Sequence, residues 1–124
     1  MKIKKQFVTN SSSTSFIFAL EKSPETEQEV QELFFGDQAC IRYQSYRYDE
    51  FYNAERLANI IFNNLQLTNR PGPWVYPSEA EFGNKYKNGI FVEATFSDNE
   101  GEEQAALHSG ELFGNVPFIK RSNH

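Results

Sequence analysis

Apolar and polar positions along the chain change their spacing several times, and each change marks an element. Phe16-Ile17-Phe18-Ala19-Leu20 is apolar without a break, the pattern of a strand covered on both faces and placed centrally in a sheet. Residues 2–8 also read as a strand, and the polar run Asn10-Ser11-Ser12-Ser13-Thr14 between the two reads as the turn of a hairpin. Ser23-Pro24-Glu25 opens a helix, with Ser23 as cap and Pro24 in the first helical position. That helix buries Val30, Leu33 and Phe34 and stops at Gly36. A strand over 39–46 follows, with Ile41 and Tyr43 sharing a face. Phe51, Ala54, Leu57, Ala58, Ile61 and Leu65 then recur at helical spacing and predict one long helix over 49–66.

After Asn69-Arg70-Pro71-Gly72-Pro73 the pattern is lost, and 74–88 reads as irregular chain with Trp74, Tyr76 and Phe82 folding back onto the body. Strict alternation returns at Ile90, Val92, Ala94 and Phe96, a half-buried strand. A short acidic helix near 100–108 and a last strand near 117–120 complete the chain. These elements imply one α+β domain over residues 1–124: a mostly antiparallel sheet of four to five strands with two main helices packed on it.

Composition changes the picture of the core more than its existence. The chain has 124 residues, enough to bury roughly two thirds of its unfolded surface. It carries 12 Phe and 6 Tyr, so aromatic rings rather than aliphatic side chains supply the interior. Mean hydropathy is −0.63, and no run approaches the ~18 apolar residues of a membrane span. The basic opening resembles the start of a signal peptide, but the polar run at 10–14 interrupts any apolar segment after it. Cys40, the single cysteine, sits between Ala39 and Ile41 and is expected to be a buried small hydrophobe. A reducing, cytoplasmic setting follows from these features.

Net charge is −5, with acids concentrated over Glu25–Asp37 and again over Asp98–Glu111. That balance argues against general nucleic-acid binding, which needs a positive surface to displace counterions. Catalytic patterns are equally scarce. His108 lies in Ala-Leu-His-Ser-Gly, with no serine elbow and no orienting group nearby in sequence. Asp98, Glu100 and Glu102 alternate before His108 and Glu111 and could offer oxygen ligands, yet an exposed acidic loop explains them as well. Neither a metal nor another cofactor is expected.

Two stretches remain as contact candidates. In Arg42-Tyr43-Gln44-Ser45-Tyr46-Arg47-Tyr48-Asp49-Glu50-Phe51-Tyr52, tyrosine and arginine are the residue types enriched in binding hot spots, and they also stack on nucleobases. On a strand Arg42, Gln44 and Tyr46 would share one face, opposite Ile41, Tyr43 and Ser45. Half-buried sheet tyrosines with wet hydroxyls fit the same pattern. The candidates are therefore Arg42, Tyr43, Tyr46, Arg47, Tyr48 and Tyr52, together with Trp74. The second stretch, Asn10, Ser11, Ser12 and Ser13, could hold an anion or simply turn the chain.

The segment Phe7-Val8-Thr9-Asn10-Ser11-Ser12-Ser13-Thr14-Ser15-Phe16 resembles the opening of a group of small proteins encoded by bacteria and their phages or mobile elements. The resemblance implies a cytoplasmic product of such an element and carries no site residue with it. Expected function is a non-enzymatic binding module that engages a host protein, or a second copy of itself. Alternatives are a binder of a small nucleotide-like ligand and an enzyme using His108.

Overall fold

The computed structural model describes residues 13–44, 49–67 and 76–123. In chain order the elements are β1 (Ser13–Leu20), α1 (Glu27–Phe35), β2 (Cys40–Gln44), β3 (Asp49–Asn53), α2 (Ala54–Asn64), β4 (Leu65–Leu67), α3 (Pro77–Lys85), β5 (Ile90–Ser97), α4 (Glu102–His108) and β6 (Phe118–Asn123). A four-stranded antiparallel sheet has the order β4-β5-β1-β6, and β2 and β3 form a separate two-stranded sheet. The fold is α+β, as its element pattern implies.

β1 is central because both of its faces are apolar. Phe16, Phe18 and Leu20 point into one core layer with Val30 and Phe34 of α1, Leu57 and Ile61 of α2, and Leu107 of α4. Ile17 and Ala19 point the other way, onto Phe82 of α3, with Phe91 and Ile119 beside them. From Ser13 to Phe18 the strand is bonded to β5 on one side and β6 on the other. Residues 2–8, the expected hairpin partner, lie outside the described residues. Ser13 and Thr14 are strand rather than turn.

Rings dominate the larger layer. Phe113 lies 4.9 Å from Phe16, 4.8 Å from Phe18 and 5.2 Å from Phe118, centroid to centroid, each pair close to edge-on. Edge-to-face geometry sets the positive rim of one ring against the negative face of another. Phe113 comes from a loop, and Gly114 holds it there. Gly114 has φ +63°, and a Cβ on it would stand 2.2 Å from the carbonyl oxygen of Phe34.

Several boundaries differ from the sequence reading. Thr26, not Ser23, caps α1: its hydroxyl accepts from the Glu29 amide at 3.1 Å. Glu29 reaches back to the Glu25 amide at 2.7 Å, and that bond holds its carboxyl below the usual range. The pair forms a reciprocal cap shifted by one residue. The long helix of 49–66 is instead strand, helix and strand, because Asn53 accepts from the Arg56 amide and starts α2 at Ala54. Within 74–88 the chain forms α3, with Pro77 at its first position. Phe82 is buried there, while Tyr76 is exposed rather than folded back. Cys40 is exposed, on the open face of β2. No helix of the described residues is long and apolar enough to cross a membrane.

Candidate interaction site on the two-stranded sheet

β2 and β3 show the same alternation, exposed at every odd place and half-buried at every even one. Antiparallel register puts Ile41 opposite Tyr52 and Tyr43 opposite Glu50, and it puts Arg42 opposite Phe51. Directly opposed residues share a face. The inner face is thus Ile41, Tyr43, Glu50 and Tyr52, of which Ile41, Tyr43 and Tyr52 pack against the main core. The outer face is Cys40, Arg42, Gln44, Asp49, Phe51 and Asn53, all exposed.

On the outer face Phe51 is 67% exposed, one of two exposed large hydrophobics among the described residues. Arg42 beside it donates through Nε and Nη2 to one oxygen of Asp49, at 3.1 and 2.9 Å. An exposed ion pair of this kind adds little stability. It runs diagonally across the ladder, from Arg42 to the residue two before its register partner Phe51.

The inner face closes a cleft of about 220 Å³ lined by Tyr43, Glu50, Tyr52, Glu102, Ala105 and Ala106. The tyrosine rings are 6.3 Å apart. The Tyr52 hydroxyl donates to the Glu50 carboxylate. Burial, then that hydrogen bond and the Glu50 charge, push the Tyr52 phenol well above its ordinary range. A larger groove of about 690 Å³ is also acidic, with Glu27, Glu32, Asp37 and Glu55 in its wall.

Of the residues singled out in the sequence, the structure joins Arg42, Tyr43 and Tyr52 in this hairpin but splits them between its faces. Arg42 points out, and the tyrosines point in. Ser13 sits apart, at the start of β1 opposite Ser97. Tyr46, Arg47, Tyr48, Trp74, Asn10, Ser11 and Ser12 lie outside the described residues. Phe51 is hidden from the sequence pattern, since its spacing to Ala54 mimics a helix. The strand alternation of Asp49-Glu50-Phe51-Tyr52-Asn53 is the signal that finds it.

His108 has a companion that sequence proximity could not reveal. Its Nε2 lies 3.1 Å from Oγ1 of Thr14, which is 4% exposed, so the contact stitches the end of α4 to the start of β1. Among the described residues no group of three or more His, Cys, Asp or Glu could hold a metal ion. Comparison with protein-family models, with curated proteins and with solved structures finds no match.

Proposed function

We propose that this protein is a binding module that engages another protein through the outer face of the β2–β3 hairpin. One observation carries the reading: Phe51 stands 67% exposed directly opposite Arg42, on a sheet whose other face is spent on the core. An aromatic anchor next to an arginine is the pairing found at the centre of protein interfaces. The opening segment's likeness to small phage and mobile-element proteins suits a host protein as partner. A reducing cytoplasm suits the exposed thiol of Cys40.

A nucleotide-type ligand fits these residues less well. The tyrosine cleft is smaller than the ~300 Å³ at which ligand pockets begin. Its carboxylates, Glu50 and Glu102, would face phosphate with like charge. Arg42 is on the opposite side of the sheet.

The test places a photo-crosslinking side chain at position 51 in the native cell, with Phe51→Asp as the control. A stoichiometric partner captured from position 51 and lost in a complex formed with Phe51→Asp is the expected result. A partner retained by Phe51→Asp, at an unchanged melting temperature, would move the contact surface elsewhere. A strictly monomeric protein with no stoichiometric partner would end the binding-module reading.

A further inference from the structure

The cleft under the hairpin's inner face has a chemistry of its own. Three elements build its wall: Tyr43 comes from β2, Glu50 and Tyr52 from β3, and Glu102, Ala105 and Ala106 from α4. No lining residue is basic, so the wall carries two carboxylates and no positive charge. Among the described residues neither Glu50 nor Glu102 is in an ion pair. Arg42 is bonded to Asp49, Arg56 to Glu103 and Lys22 to Glu29. The two carboxylates converge although they lie far apart in the chain. The Tyr52 phenol is raised first by burial, next by Glu50, and then by the charge of Glu102.

Hydrogen-bonding capacity points the same way. Carboxylates only accept, and the Tyr52 O–H is already donated to Glu50. The Tyr43 hydroxyl is the one side-chain donor left in the wall. A guest that fits must bring N–H groups and a positive charge with it. The rings of Tyr43 and Tyr52, 6.3 Å apart and tilted by 43°, add aromatic surface, which attracts cations electrostatically. Ala105 and Ala106 end at Cβ and leave room for an alkyl stem. At about 220 Å³ the space takes a head group rather than a drug-sized molecule. The wider acidic groove beside α1 has no ring in its wall.

We propose that this cleft binds a primary alkylammonium group, its N–H groups donating to Glu50 and Glu102 and its stem lying against the tyrosines and Ala105. A free amine and a lysine side chain of another protein present the same group. The inference is independent of Phe51, which stands on the opposite face of the sheet.

Titration of the full chain, read from the ring resonances of Tyr43 and Tyr52, tests the proposal. The probes are n-butylammonium, n-butanol, tetramethylammonium and Nα-acetyl-lysine methylamide. n-Butylammonium is expected to bind about tenfold more tightly than n-butanol, which has the same stem and no charge. Tetramethylammonium, a cation without N–H, is expected to bind several times more weakly than n-butylammonium. The lysine amide matching n-butylammonium would assign a protein side chain, and its exclusion a free amine. Glu102→Gln, at an exposed position, should weaken n-butylammonium about two- to fivefold. Ala105→Leu should fill the cleft and abolish binding with the charges intact. Equal binding of n-butanol would overturn the proposal. So would equal binding of tetramethylammonium, or titrations unchanged by Glu102→Gln and by Ala105→Leu. Phe51→Asp should leave every titration unchanged, which separates this result from the outer-face reading.

Discussion

β1 and the β2–β3 hairpin are both built from extended chain with aromatic side chains, yet they put those side chains to opposite uses. Thr14 through Leu20 are buried without exception, with Phe16, Phe18 and Leu20 to one side and Ile17 and Ala19 to the other. In the hairpin every second residue is exposed, including the aromatic Phe51. β1 has a sheet neighbour on each side and helices over both faces. The hairpin has one face against the core and nothing over the other among the described residues. Burial on two faces makes a strand an anchor for folding. Burial on one leaves the second face available for recognition.

The largest effect expected from that contrast belongs to the ring cluster around β1. Phe113→Ala removes the ring that contacts Phe16, Phe18, Phe34, Phe96 and Phe118. Loss of transfer energy plus an unfilled cavity should cost about 3–5 kcal/mol by chemical denaturation. A cost near that of a surface substitution would mean the loop does not hold the core. Gly114→Ala should cost about 2–4 kcal/mol, from a left-handed backbone and a collision with the Phe34 carbonyl. Its denaturation midpoint should fall with no change in slope.

Those two residues also show where the sequence stops being informative. β1 and β5 are legible because period-2 and unbroken apolar runs are local, and α2 from Ala54 onward is legible through its helical stripe. Phe113 is invisible because its burial depends on a loop conformation that one glycine makes available. The Asp49–Asn53 strand hides inside a helical repeat, and only the Asn53 cap separates the two. α3 offers a single buried Phe to a pattern search, too few for a periodicity, although Pro77 and Glu79 mark its start. On the site, period 2 correctly sets Arg42 against Tyr43. Which face meets solvent was decided by packing against α2 and α4, which no local pattern contains.

Asn53 joins the two regions, ending β3 and capping α2, so its replacement probes whether the hairpin and the core are separable. Asn53→Ala should cost about 1 kcal/mol, the ordinary loss of a cap. Hydrogen exchange should report the change in the first turn of α2, with the β1 amides still protected. Uniform loss of protection would show that hairpin and core unfold as one unit.

Alkaline titration addresses the hairpin's inner face. With the phenol pKa raised in the folded state, the folded protein holds a proton that the unfolded chain releases above about pH 10. The stabilisation is therefore complete below that pH and declines as pH rises through the folded pKa. Absorbance near 295 nm should show that the Tyr52 phenol resists ionisation until the protein unfolds. Tyr52→Phe should abolish that component and flatten the alkaline loss of stability.

The smallest stability effect, and the sharpest separation of the two regions, is expected at Phe51. Its ring is mostly in water, so Phe51→Ser removes little buried area and should shift stability by no more than about 0.5 kcal/mol. A buried Phe on β1 would respond several times more strongly. The same substitution should remove most of the contact area that a partner could bury, because the neighbours Arg42, Gln44 and Asp49 are polar and already hydrated. Binding lost at constant stability would assign Phe51 to recognition. A loss of stability comparable to Phe113→Ala would show that the ring is covered in solution, and the contrast between an anchoring strand and a presenting one would fail there.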